Sequence, residues 1–149
     1  MQVPTSRAGV MKTTIAVFTV CVMFGAVKAA LDITSEQKDK LDKFRDECKA
    51  ESGVEVEILK KLRDGVFSED KKFKEFLFCV SKKTGFQNDA GDVQETVIIE
   101  KLGKALKNPA KAKQLTEKCA KQNGSPSEIS YKVVTCFYNS SPDHIVVVQ

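Results

Sequence analysis

The chain has no tryptophan, a single histidine (His144) and no cluster of glycines. One histidine near the C-terminal end cannot supply a two-histidine metal set, nor a His–Asp catalytic pair inside a helical core. A glycine-rich phosphate loop is missing. So is the helix-borne histidine beside a calcium loop that a secreted phospholipase would need. Acid pairs such as Asp89 and Asp92 are found on any helical surface and do not argue for a glycosidase. The reading is no enzyme, no cofactor and no metal. Charge of one sign is scarce too. Three of the 24 basic residues (Arg7, Lys12, Lys28) and none of the 20 acidic ones precede residue 30, so the remainder carries 21 against 20, a net of +1. Its lysines interleave with acids, as on a solvated helix surface, and form no basic face for nucleic acid. No internal repeat and no low-complexity linker appears.

The long apolar run lies near the start. Residues 14–27 are apolar except for Thr14, Thr19 and Gly25, with Lys12 before them and Ala26, Ala29 and Ala30 at their end. A basic start, short apolar middle and small-residue exit make a signal peptide, cleaved after Ala29. The run is short for a membrane span, which needs about 20 apolar residues. Met11-Lys12 makes a better start than Met1-Gln2, so residues 1–10 read as an upstream extension. The expectation is a secreted, extracellular protein with a signal peptide at 1–29 and one domain at 30–149.

Cys21 leaves with the leader. Cys48, Cys79, Cys119 and Cys136 remain, separated by 30, 39 and 16 residues. An even cysteine count in a small secreted domain reads as a disulfide framework, and four cysteines allow three pairings.

The periodicity is helical. Thr34-x-x-Gln37 is a capping box opening a helix over residues 34–50, with Leu41, Phe44 and Cys48 on one face. After Gly53, Val54, Ile58, Leu62 and Val66 recur every four residues in a second helix. Ser68 begins a third, carrying Phe73, Phe76, Leu77 and Val80 and closed by Gly85. Asp92-x-x-Glu95 opens a fourth with Val93, Val97, Ile98, Leu102 and Leu106. Asn108-Pro109 opens a fifth with Ala112, Leu115 and Cys119. Ser125-Pro126-Ser127-Glu128 joins a capping box to a first-position proline and opens a sixth, with Ile129, Val133, Cys136 and Phe137. Each of the four cysteines lies on the apolar stripe of its helix, so bridges between packed helices are geometrically plausible. The fold class is all-α: a small box of six helices held by two disulfides.

These cysteine spacings, with six helices and a leader, resemble the insect odorant-binding proteins of the pheromone-binding and general odorant-binding type. That family usually has six cysteines. Cys48, Cys79, Cys119 and Cys136 align as its first, third, fourth and sixth; the absent second and fifth fall at Glu75 and Ser127. The chain therefore resembles the four-cysteine "minus-C" subgroup over most of residues 31–140. The resemblance implies a compact six-helix box around an internal apolar cavity, the pairs Cys48–Cys79 and Cys119–Cys136, and a non-enzymatic carrier of odorants, pheromones or similar lipophilic molecules. Loss of the third bridge implies a more compliant cavity and broader ligand tolerance. The partners implied are a small hydrophobic ligand and, indirectly, an olfactory receptor or membrane, with the protein a monomer or weak homodimer.

The resemblance and the stripes together nominate the ligand-binding residues. Phe137, directly after the last cysteine, is the leading wall residue, with Val133 three before that cysteine. Ser81, two after Cys79, is a polar contact. Leu41, Phe44, Leu77, Phe86, Val93, Ile98 and Val134 follow by position. Any of these can equally be plain core. Tyr131 and Tyr138 can donate hydrogen bonds to a ligand or sit at the surface. The apolar end of the tail at 142–149 invites pairing if exposed and reads as a cover for the pocket mouth or part of its wall, the alternative being a disordered end, with His144 beside it as a pH-sensitive or inert group. Asn123 and Asn139 head glycosylation sequons. The competing readings are a secreted helical interaction protein with a filled core, and a lipid carrier outside olfaction.

Overall fold

The computed structural model describes residues 32–145; the leader, the start at Met11 and the last four residues of the tail lie outside them. Within these residues six helices follow one another: α1 Ser35–Ser52, α2 Val56–Arg63, α3 Lys71–Thr84, α4 Glu95–Leu106, α5 Pro109–Cys119 and α6 Pro126–Ser140. Extended structure is limited, among the described residues, to an isolated bridge between Gln87 and Val93. The fold is all-α, as expected.

Three helices start where the caps demand. The Thr34 hydroxyl accepts from the Gln37 amide at 3.2 Å, and the Gln37 side chain accepts from the Thr34 amide at 2.9 Å. Ser125 and Glu128 repeat this box at α6, behind Pro126, and Asn108 accepts from the Lys111 amide ahead of α5. Each cap of this kind contributes about 1 kcal/mol. Helix α1 runs two residues past the expected Ala50, because Gly53 at φ 64° supplies the left-handed stop only there.

The other three starts differ from the sequence reading. Helix α2 begins at Val56, not Val54, and ends at Arg63, so Val66 lies beyond it and is 53% exposed. Helix α3 begins after Asp70 rather than at Ser68. The Ser68 hydroxyl accepts from the Asp70 amide, and Asp70 in turn caps the Phe73 amide at 3.2 Å. Asp92 does not open α4. It is tied back to Asn88, donating its amide to Asn88 Oδ1 at 2.8 Å and accepting from Asn88 Nδ2 at 2.9 Å. Gln94 takes the cap position and makes no side-chain cap bond.

Helix α3 packs between α1 and α6, and α5 packs between α4 and α6. The apolar stripes bury into two clusters. The first gathers Cys48, Val54, Leu62, Phe73, Phe76, Leu77, Cys79, Val80 and Val134. The second gathers Ile98, Leu102, Ala112, Leu115, Cys119, Val133, Phe137 and Ile145. A disulfide crosses each: Cys48–Cys79 joins α1 to α3, and Cys119–Cys136 joins α5 to α6, both at a Cα separation of 5.5 Å. These are the pairs the resemblance implied. Val133 and Val134, adjacent on α6, face different clusters, so α6 is the wall the two share.

Candidate ligand-binding cavity

A small cavity lies along that shared wall. It is lined by Ser81, Phe86, Gln87, Val93, Ile98, Val133, Val134 and Phe137. Ser81 comes from the last turns of α3. Phe86, Gln87 and Val93 come from the α3–α4 connection, Ile98 from the first turn of α4, and the other three from α6. Its volume is about 20 Å³, room for roughly one water molecule.

The connection is held to α6 by one buried side chain. The Gln87 Nε2 group donates to the Gly91 carbonyl at 2.9 Å and to the Pro126 carbonyl at 3.2 Å. Gln87 Oε1 accepts from the Ser130 hydroxyl, which also lies 3.1 Å from the Pro126 carbonyl. Gly91 has φ 92°, and a β-carbon there would meet the Pro126 ring at 2.6 Å. Only glycine lets the connection lie this close to the start of α6. Outside, the Lys101 ammonium donates to the Thr84 carbonyl and stands 5.9 Å from the centre of the Phe86 ring.

Seven of the ten nominated residues meet at this cavity: Ser81, Phe86, Val93, Ile98, Val133, Val134 and Phe137. The other three lie elsewhere. Leu77 is wholly buried in the first cluster, and Leu41 and Phe44 are half-buried on α1, outside the lining. Gln87 is the lining residue that sequence reasoning missed. It sits in no apolar stripe, and its partners on α6 are 39 and 43 positions away.

Neither tyrosine lines the cavity. Tyr131 lies on the first cluster, edge-on to Phe67 and Phe73, with the Lys74 ammonium 5.0 Å from its ring centre. Burial pushes its hydroxyl up to about 12, and the neighbouring Glu69 carboxylate adds to this. Tyr138 packs edge-on against Phe67 and stacks on His144 at 4.7 Å. The tail turns back after α6. The Ser141 hydroxyl accepts from the Ile145 amide at 2.8 Å, and Asp143 pairs with Lys111 at 3.2 Å. Ile145 is 4% exposed and belongs to the second cluster. It packs in the cluster that supplies Ile98, Val133 and Phe137 and is not itself a lining residue. Residues 146–149, the rest of the apolar run, lie outside the described residues.

Comparison with known proteins gives a consistent set of relatives. The PBP/GOBP family model matches residues 30–140. The B1 protein of Tenebrio molitor is 28% identical over 122 residues, 82% of this chain and 92% of its own. General odorant-binding protein 56a of Drosophila melanogaster is 33% identical over 119 residues, 78% of this chain and 84% of its own. Among solved structures, the fatty acid binding protein OBP56a from the oral disk of the blowfly Phormia regina superposes with a TM-score of 0.62 at 32% identity. The match covers 74% of this chain and 96% of that one.

Proposed function

The chain belongs to the PBP/GOBP family of small-ligand carriers, and from that premise we propose that it is a secreted carrier of odorants, pheromones or similar lipophilic molecules. The observation that carries this reading is the composition of the cavity wall: six apolar side chains converging with two polar ones, Ser81 and Gln87. Ligand sites have this make-up, with a few polar groups to orient an apolar guest. In this reading Phe86, Val93, Ile98, Val133, Val134 and Phe137 form the wall and Ser81 is a polar contact. Delivery to an olfactory receptor or membrane follows release.

The cavity is far smaller than the roughly 300 Å³ at which ligand sites begin, so a guest must enlarge it. The α3–α4 connection is the part able to yield, because no disulfide crosses it and side-chain hydrogen bonds fasten it. The same small volume favours one competing reading, a secreted interaction protein with a filled core. Displacement of N-phenyl-1-naphthylamine from the oxidised protein by volatile alcohols, aldehydes and esters separates the two. The carrier reading expects micromolar competition, weakened about tenfold or more by Phe137→Trp, which adds bulk to the wall. Absence of probe binding by a folded sample with both disulfides would leave the filled core standing.

A further inference from the structure

The carrier reading leaves open which head group a guest carries, and the hydrogen-bond bookkeeping around Gln87 bears on it. Two backbone carbonyls, of Gly91 and Pro126, lie within hydrogen-bond distance of one end of its amide. A carbonyl oxygen can only accept, so that end must be the NH2 group, and both of its protons are spent. The other end is therefore the oxygen, facing the Ser130 hydroxyl. An amide oxygen has two acceptor sites and Ser130 uses one. Gln87 thus retains accepting capacity alone, and its flip is forbidden because it would set oxygen against two carbonyls.

The rest of the lining sharpens the choice. Among the described residues no charged side chain lines the cavity. The Lys101 ammonium is engaged outside, beyond the Phe86 ring. Ser81 is buried to 5% exposure, and its carbonyl is taken by the Phe86 and Gln87 amides. Its hydroxyl has no partner among the described residues, so it is available to donate or accept. A guest meeting this pair finds one fixed acceptor and one adaptable hydroxyl, with no cation to offset a negative charge.

Resting on the carrier reading, we infer that Gln87 is a specificity-determining residue, locked as a hydrogen-bond acceptor and selecting neutral guests that donate a proton: long-chain alcohols over esters and fatty carboxylates. An alcohol can donate to Gln87 Oε1 while accepting from Ser81. An ester can only accept from Ser81 and forfeits one hydrogen bond. A carboxylate forfeits the same bond and must bury its charge uncompensated, which is the more costly loss.

The test is a matched ten-carbon series, decanol, methyl decanoate and decanoate, competing against N-phenyl-1-naphthylamine near neutral pH. Decanol should bind about fivefold more tightly than the ester and at least tenfold more tightly than the carboxylate. Gln87→Met should bring alcohol and ester to within about twofold of each other, with affinity lowered for both by the lost ties to Gly91 and Pro126. Should that variant not fold, the wild-type ranking decides alone. A wild-type protein that binds decanoate best, or all three alike, overturns the inference and leaves the carrier reading intact. Failure of every member and of the probe overturns both.

Discussion

The two apolar clusters use similar materials to different ends. The first, around α1, α2 and α3, contains Phe73, Phe76 and Leu77 with no exposed surface. The second, around α4, α5 and α6, gives Ile98, Val133 and Phe137 to the cavity, with Phe86 and Val93 packed beside it. Of the first cluster's residues only Val134 reaches that lining. The first cluster is therefore scaffold, and the second carries the site. Their fastenings differ accordingly. The disulfide of the first encloses a separation of 31 residues and ties α3 firmly to α1. The disulfide of the second ties α5 to α6 over 17 residues and leaves the α3–α4 connection outside its loop. That connection rests on Gln87, on the Gly91–Pro126 approach and on the Lys101 bond to Thr84.

The largest expected effect comes from breaking the scaffold. Phe76→Ala should cost about 3–5 kcal/mol of stability, read by denaturant unfolding, because the side chain is wholly buried in the first cluster. At the site, Phe137→Trp should cost less, about 1–3 kcal/mol from overpacking, yet carry the greater loss of probe binding. A protein that loses stability alike at both positions, with no separate effect on binding, would erase the distinction between the clusters.

The bridges sharpen it further. Replacing both Cys48 and Cys79 by alanine should destabilise by about 4 kcal/mol, against about 3 kcal/mol for Cys119 and Cys136, because the first closes the longer loop. Thermal unfolding of the two double variants checks the order. Equal losses, or the reverse order, would mean that native-state packing around the second bridge outweighs chain entropy.

Helices were more legible in the sequence than the site. The Thr34, Asn108 and Ser125 caps are local patterns of three or four residues, and each forms as read. Asp92 failed as a cap because Asn88 claims both its amide and its carboxylate. Ser68 failed because Asp70, two residues on, does the capping. Wall residues on helical stripes were readable, since the period brings Val133 and Phe137 to one face. Leu41 and Phe44 share a stripe as well, but α1 packs on α3 away from the cavity, and that is a fact of tertiary packing. Gln87 was invisible for the same reason: its role is created by contacts with α6, far along the chain.

A smaller effect belongs to the outer face of the scaffold. The Tyr131 hydroxyl ordinarily titrates at 10.0 and is pushed up to about 12 by burial, then by Glu69. Between those values the unfolded chain releases the proton first and the folded chain keeps it. Stability should therefore fall as pH rises from 10.0 towards about 12. Tyr131→Phe should remove this slope. In a Tyr138→Phe background Tyr131 is the single tyrosine and no tryptophan interferes, so tyrosinate absorbance reads it directly. Titration at the ordinary value would contradict the burial of Tyr131 against Phe67 and Phe73.

The central claim is that one cluster opens for a guest while the other holds. Amide hydrogen exchange of the oxidised protein, with and without saturating decanol, tests it region by region. The account predicts that protection rises along residues 85–94 and on α4 and α6, with α1 and the first turns of α3 unchanged. A response spread evenly over all six helices, or confined to α1 and α3, would contradict it.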